Sequence, residues 1–201
     1  MKKFIASALM LFAASTATFA QHEVGSFTLQ PKVGVNIASL TKSDGADPRI
    51  GLAAGVEGEY QATDIFSLSA GVIYSQQGNK YDKTVLGQNV KYTNKLDYIN
   101  IPIMANVYVV KGLAVKLGVQ PAFNVNSKFS TVANVAGTET KKSVDNNNVK
   151  SFDFSIPVGL SYEFNNVVLD ARYNWGLTKI ADNSDSKNSV FQITLGYKFD
   201  L

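Results

Sequence analysis

Apolar and polar side chains alternate over long stretches of this chain of 201 residues. The clearest stretch is SFDFSIPVGLSYEF, Ser151 to Phe164, in which every even-numbered position is apolar. A period of two residues is typical of a β-strand whose two faces meet different surroundings. The pattern predicts eight strands, at about 26–38, 49–60, 65–77, 96–109, 113–126, 151–164, 167–178 and 189–201.

The connections between these predicted strands alternate in length. Long polar loops are predicted at TKSDGADP, 78–95, 127–150 and 179–188, and they alternate with tight turns at QATD, at the VKG around Lys111 and at Asn165–Asn166. An up-and-down antiparallel order produces this rhythm, because it places all long loops at one end of the sheet. A sandwich with crossing connections does not. We refer to the two ends as the long-loop end and the short-turn end.

The two faces of the predicted strands differ in composition. One face is apolar and uncharged, as in Val33, Val35 and Ile37 of the first strand. The other face is mostly Gly, Ala, Ser, Thr and Asn with a few charges, whereas a sheet face in bulk water favours long charged residues. Small polar side chains suit a cramped interior, and a barrel of eight strands is just wide enough for side chains to fill.

Aromatic residues gather at both ends of the apolar face. Tyr60, Tyr162 and Phe164 fall near the short-turn end, Tyr74, Tyr173 and Trp175 fall near the long-loop end, and the middles of the strands are aliphatic. Two aromatic girdles around an apolar band are typical of a transmembrane β-barrel. The sequence therefore predicts an all-β, eight-stranded, antiparallel up-and-down transmembrane barrel. The alternative is a soluble lipocalin-like barrel whose apolar face is turned inward.

The N-terminus predicts export. Residues 1–20, MKKFIASALMLFAASTATFA, combine a basic start, a short apolar run and small residues at Thr18 and Ala20. This order is typical of a cleaved signal peptide, and the apolar run is shorter than the roughly 17–25 residues of a membrane-spanning helix. A buried core helix is the alternative. We expect a signal peptide over 1–20 and one barrel domain over 21–201.

Composition narrows the chemistry that this chain can perform. The chain has no cysteine, and loss of Lys2 and Lys3 with the signal lowers its formal net charge from +3 to +1. This near-neutral charge argues against nucleic-acid binding. The only histidine, His22, is expected outside the barrel, so we predict no catalytic site, no cofactor and no enzyme activity. Two oxygen-rich segments, SDGAD and ADNSDSKN, lack the ligand spacing of a calcium loop, so no metal site is predicted.

The charges on the predicted interior face are nearly balanced between bases and acids. We predict that they form a lumen charge network, made of Lys32, Glu57, Glu59, Lys116, Glu163, Asp170, Arg172 and Lys198. Asp153 belongs to the same face. Strand adjacency suggests pairs of Lys32 with Glu57 or Glu59, Lys116 with Glu163, and Asp170 with Lys198. Pairing of opposite charges in a narrow interior favours a plugged lumen over an open channel.

Prolines within the predicted strands need an explanation. Pro31, Pro102, Pro121 and Pro157 each remove one hydrogen-bond donor from the ladder, and a closed barrel has no free edge for them. We expect β-bulges to accommodate them.

Three landmarks resemble the outer-membrane β-barrel domain family of porin-like proteins that includes the PorT type. The first is the glycine-rich hairpin PKVGVNIASL…IGLAAGVEGEY, and the second is YINIPIMANVYV with Tyr98, Ile101 and Pro102 in the family's Tyr-x-x-Ile-Pro pattern. The third is the closing pair LDARYNWGLTKI…VFQITLGYKF. The resemblance covers about 24–201 and implies an integral outer-membrane protein of a Gram-negative cell, with loops outside and termini in the periplasm.

Three functions remain open at this point. The first is a structural or interaction barrel that displays its loops to an extracellular ligand or an envelope protein. The second is a narrow porin or transporter for small solutes. The third, implied only by the PorT resemblance, is an accessory role in an outer-membrane secretion machine. The expected partner in each case includes outer-membrane lipid, and the barrel is expected to be a monomer.

Overall fold

The computed structural model of the protein describes residues 22–201 apart from 44, 86–87, 136–137 and 147. The predicted signal peptide over 1–20 lies outside the described residues. Within them the chain forms eleven strands, and no helix is long and apolar enough to cross a membrane. The strands are β1 (Phe27–Leu40), β2 (Asp47–Thr63), β3 (Phe66–Val85), β4 (Gln88–Asn100), β5 (Ile103–Val110), β6 (Leu113–Val135), β7 (Thr138–Asp145), β8 (Phe152–Phe164), β9 (Val167–Gly176), β10 (Asn188–Tyr197) and β11 (Phe199–Asp200).

These strands form one antiparallel sheet that closes on itself. Val33 of β1 lies opposite Ala54 of β2 on one side and opposite Leu195 of β10 on the other. The ring has eight positions, because β4 with β5, β7 with β8, and β10 with β11 each share one position. Neighbours along the chain are neighbours in the ring, so the predicted eight-stranded up-and-down barrel is confirmed. Closure also pairs the backbone N–H and C=O groups at the strand edges, which would otherwise have no hydrogen-bond partner in hydrocarbon.

The apolar face lies on the outside of the barrel. Val33, Leu117 and Leu195 are 55%, 56% and 54% exposed, whereas their polar neighbours point into the interior and are buried. The lipocalin-like alternative is therefore wrong, because it requires the apolar face inside. Trp175 and Phe164, at opposite ends of their strands, are also exposed on the outside, as a lipid-facing belt with aromatic borders requires.

The ladder is interrupted where prolines meet. Residues 101–102 form a break between β4 and β5, and the Ile101 amide donates to the carbonyl oxygen of Pro121 on the neighbouring strand at 2.8 Å. The carbonyl of Pro102 accepts from the amide of Gly71 at 3.1 Å. Shifts in the strand register lie elsewhere, for example between Asp97 and Tyr98. The expectation of bulges at the prolines is thus wrong for Pro102, because the register with both neighbouring strands continues unchanged across the break.

Two of the predicted long loops are largely strand. β3 and β4 continue as a hairpin through 78–95, and β6 and β7 form a second hairpin through most of 127–150. The prediction of loops there was wrong because these segments extend beyond the hydrocarbon that imposes the alternation, although their backbone remains paired. β4 also pairs with β6, so the ends of β3, β4 and β6 together with β7 form a four-stranded outer sheet over 79–85, 88–96, 127–135 and 138–145.

Candidate functional site

Five charged side chains meet at the middle of the barrel interior, and we call them the central cluster: Lys32, Glu57, Lys116, Asp170 and Arg172. Arg172 Nη1 lies 2.9 Å from Glu57 Oε1, and Arg172 Nη2 lies 2.7 Å from Asp170 Oδ2. Lys116 Nζ lies 3.0 Å from the same Asp170 oxygen, and Lys32 donates to Glu57. The cluster thus joins β1, β2, β6 and β9 across the lumen.

Glycines on the same interior face make room for these long side chains. A Cβ atom at Gly159 would lie 2.8 Å from the Cβ of Arg172, and one at Gly71 would lie 2.5 Å from the Cγ of Glu57. Both distances are shorter than real Cβ contacts, so only glycine fits there. The small residues that predicted a cramped interior therefore lie beside the large charged ones.

The central cluster is fully enclosed and carries three positive and two negative groups. Arg172 is 1% exposed and Asp170 is 0% exposed. Charges removed from water in this way are stable only with close partners, and loss of one partner typically costs about 3–5 kcal/mol. The arrangement links four strands across the barrel interior.

A second cluster closes the short-turn end, and we call it the short-turn cluster: His22, Glu59, Glu163 and Lys198. Lys198 Nζ lies 2.8 Å from Glu163 Oε2 and 3.1 Å from Glu59 Oε2. Tyr108 donates its hydroxyl to Glu59 Oε1 at 2.5 Å. The cluster is buried, as is the central one.

His22 belongs to this cluster although it precedes the first strand. Its Nε2 lies 2.8 Å from Glu163 Oε1, and its Nδ1 lies 2.7 Å from Asp200 Oδ1. The His22 side chain is only 8% exposed, so the expectation of a histidine outside the barrel is wrong. No local pattern around His22 predicts this contact, because the carboxylates that bind its side chain come from strands far along the chain.

The His22 contacts predict a pH-dependent contribution to stability. The hydrogen bond with Glu163 raises the pKa of His22 above its usual value of about 6.5, and burial offsets part of this shift. A raised pKa in the folded state stabilises the fold below the unfolded-state pKa, and this stabilisation is lost as pH rises through the folded-state pKa. We expect His22→Gln to lower the free energy of unfolding by about 1 kcal/mol or less at pH 5.5, with a smaller difference at pH 8.5.

Urea unfolding of both proteins in vesicles, followed by Trp175 fluorescence, measures this difference. Lys42→Gln provides the control, because Lys42 forms only an exposed ion pair with Asp185 at the other end of the barrel. A His22→Gln effect that is equal at both pH values would contradict an ionised His22 contact.

The structure pairs the predicted network residues differently from the sequence expectation. Lys32 contacts Glu57, but Lys116 contacts Asp170 rather than Glu163, and Lys198 contacts Glu59 and Glu163 rather than Asp170. Lys116 lies opposite Gly159, and Glu163 is four residues further along β8. Four residues of strand span about 13 Å, which is beyond ion-pair reach. Lys198 is likewise four residues along the chain from Thr194, which lies opposite Asp170. Lys198 is therefore also beyond ion-pair reach of Asp170.

A group of apolar side chains that the sequence reading did not identify lies at the long-loop end of the barrel interior. Leu40, Leu96, Tyr98 and Ala122 form a buried apolar cluster, which we call the apolar stopper. Val149 and Ile180 fold over it from the loops, and the Lys150 amide donates to the Ile180 carbonyl at 2.8 Å. The sequence signal that could have revealed the apolar stopper is the presence of isolated apolar residues, Val149 and Ile180, in otherwise polar loops.

Asp153 lies beside the apolar stopper and has polar partners rather than a cation. It accepts from the Thr178 hydroxyl and, at 2.8 Å, from Asn188 Nδ2. Within the described ranges, no three His, Asp or Glu side chains are grouped so that they could hold a metal ion. The interior thus contains two groups of ion-paired charges, with the apolar stopper at its long-loop end.

Comparison with known proteins adds a family match to this geometry. Residues 19–182 match the family described as outer membrane protein beta-barrel domain. No curated protein matches the chain.

Solved structures of membrane barrels also resemble the chain. Ail, the attachment invasion locus protein of Yersinia pestis, is 14% identical, with a TM-score of 0.49 over 88% of this chain and 100% of that one. Neisserial surface protein A is 17% identical, with a TM-score of 0.46 over 86% and 97% of the two chains. The N-terminal β-barrel domain of Pseudomonas aeruginosa OprF is 12% identical, with a TM-score of 0.36 over 89% and 100%.

Proposed function

Since the chain belongs to the outer membrane protein β-barrel domain family, we propose that it is a closed, non-conducting outer-membrane barrel that works through the surface at its long-loop end. The observation that supports this proposal is that buried side chains meet across the barrel interior at three levels. The short-turn cluster lies at one mouth, the central cluster lies in the middle, and the apolar stopper lies at the other mouth.

Each level opposes ion passage for a different physical reason. The two charged clusters use their polar atoms on one another, so a passing ion would have to break contacts between fully buried charges. The apolar stopper consists of hydrocarbon side chains and the ring of Tyr98, so an ion that entered it would lose hydration with little replacement. This interior does not favour an enzyme, because the only histidine of the chain is bound by the carboxylates of Glu163 and Asp200. The outer sheet then supplies the surface for an extracellular ligand or an envelope protein.

Planar-bilayer recording on the refolded protein tests this function. We expect no stable, discrete conductance steps from the wild type. Insertion is checked in the same lipid by quenching Trp175 with brominated acyl chains, because this side chain is 58% exposed on the lipid-facing side. Sustained discrete conductance by quenched, inserted protein would overturn the closed barrel and favour the narrow porin or transporter.

The proposed orientation places the long-loop end outside the cell and the tight turns in the periplasm, as in bacterial outer-membrane barrels. We expect Thr140→Cys in β7 to react with an impermeant maleimide on whole cells and Lys111→Cys in a tight turn to be protected. Both residues are exposed, and the natural chain has no cysteine that would add background. Labelling at 111 with protection at 140 would invert the orientation.

Export through a signal peptide over 1–20 is part of the same proposal. We expect cleavage between Ala20 and Gln21, which would make His22 the second residue of the mature chain. An intact-mass measurement on protein from the cell envelope checks this, and a mass that retains 1–20 would contradict it. A monomeric state and membership of the PorT type stay predictions of the sequence alone.

A further inference from the structure

Five lysines lie on one face of the outer sheet, and we call this face the lysine patch: Lys80, Lys91, Lys95, Lys128 and Lys141. The strand register places them together. Lys95 of β4 lies directly opposite Lys128 of β6, and two residues further from the barrel Lys80 of β3 lies opposite Thr93. The third row brings Lys91 beside Val132 and Lys141.

The lysine patch continues the lipid-facing side of the barrel. On β4 the side chains of Ile99 and Lys95 lie on the same face, because they are four residues apart in a strand. Ile99 lies opposite Tyr74 and Phe123, which belong to the aromatic border at the long-loop end. Four residues of tilted strand rise about 10 Å above that border, which is the height of the lipid head groups.

The charges in the patch lack a full set of counter-ions from the protein. Residues directly opposite each other on paired strands have Cβ atoms roughly 4.5–5.5 Å apart, and like charges there are destabilising. Within the described part of the chain, neither Lys95 nor Lys128 forms an ion pair. The carboxylates described on this face are Asp82, which is paired with Lys91 at 3.8 Å, Asp97, which is paired with Arg49 at 3.5 Å, and Asp145, which lies directly opposite Lys128.

Other lysines at the long-loop end, unlike Lys95 and Lys128, form ion pairs with carboxylates. Lys150 lies 2.7 Å from Asp182, and Lys179 lies 2.6 Å from Asp185. These ion pairs belong to loops rather than to the outer sheet. Lys95 and Lys128 are like-charged neighbours on the sheet, with Asp145 as the one carboxylate directly opposite Lys128, and an anion from outside the chain would neutralise the remaining charge.

We propose that the lysine patch binds the phosphate groups of a phosphorylated glycolipid in the outer leaflet. The lysine ammonium groups supply the charge, and the hydroxyls of Thr93 and Ser143, in the row next to Lys95 and Lys128, supply neutral hydrogen-bond donors. A lipid is the occupant because the patch faces sideways, over the lipid that surrounds the barrel. This binding goes beyond the closed-lumen function and does not depend on whether the lumen conducts.

Native mass spectrometry of the purified mature chain in detergent micelles tests this binding. The probes are lipid A with two phosphates and the same lipid A after removal of both phosphates. We expect the wild type to prefer the phosphorylated probe, and the Lys95→Gln/Lys128→Gln variant to bind it about 25-fold more weakly. This estimate takes roughly fivefold for each lysine beside an anionic lipid.

The control variant is Lys150→Gln/Lys179→Gln, which removes the same charge from lysines that already have carboxylate partners. We expect its affinity to stay within about threefold of the wild type, since its lysines do not face lipid. Folding is not at risk in the Lys95→Gln/Lys128→Gln variant, because the change relieves a like-charge contact. Its midpoint of thermal unfolding in lipid-free micelles should therefore not fall.

Three results would overturn the proposal. The first is equal binding of the two probes by the wild type, an outcome that needs no variant at all. The second is an equal loss of affinity in the control variant, which would show that the effect depends only on the net charge of the protein. The third is strong binding of a soluble sulfated polysaccharide that depends on Lys95 and Lys128 while phosphorylated lipid A does not bind, which would replace the lipid by a glycan.

Discussion

Replacing Glu57 by alanine is expected to lower the free energy of unfolding by about 3–5 kcal/mol. Glu57 is 2% exposed and contacts both Arg172 and Lys32 in the central cluster. Without it, three buried positive charges share only the carboxylate of Asp170. Guanidinium unfolding of the refolded protein in vesicles, followed by Trp175 fluorescence, measures the loss.

A double-mutant cycle separates this charge effect from the effect of a cavity. Glu57→Ala/Arg172→Ala leaves Lys116 paired with Asp170 at 3.0 Å and Lys32 within 3.7 Å of the same carboxylate. We expect the double variant to lose less than the sum of the two single variants, by about 0.5–3 kcal/mol. Strictly additive losses would show that Glu57 and Arg172 act as separate packing residues.

Val158→Arg is expected to destabilise the inserted barrel by roughly 2–4 kcal/mol, because it places a charge on the lipid-facing side near the bilayer midplane. Val158 is 47% exposed on the outside of β8, midway between Phe152 and Phe164. The same vesicle unfolding experiment measures the loss of stability.

Two further variants control for the substitution and for the strand face. Val110→Arg makes the same change on an exposed residue at the end of β5, where arginine near the interface costs about 0–1 kcal/mol. Ser161→Ala changes a residue of β8 on the interior side and should have little effect. Equal losses at 158 and 110 would contradict the depth assigned to Val158.

The outer sheet shows where the alternation of apolar and polar residues no longer predicts the strands. The strands inside the membrane were predicted because hydrocarbon on one side and a polar lumen on the other impose a strict alternation. The outer parts of β3, β4, β6 and β7 extend beyond the hydrocarbon, and segments such as KYDKTV and NVKYTNK lose that alternation. Their pairing comes from the neighbouring strands that continue past the membrane, which a single segment does not reveal.

The amino-acid sequence by itself determined the eight-position ring, the facing of each strand and the tight turns, since these depend on residues within a few positions of one another. The Asn165–Asn166 turn is an example, because both residues adopt the positive φ angles that asparagine tolerates. The partners of Lys116 and Lys198, the docking of His22 and the apolar stopper were decided only by the tertiary structure. Ring closure sets the stagger between strands, and that stagger brings together side chains more than a hundred residues apart, such as Glu57 and Arg172.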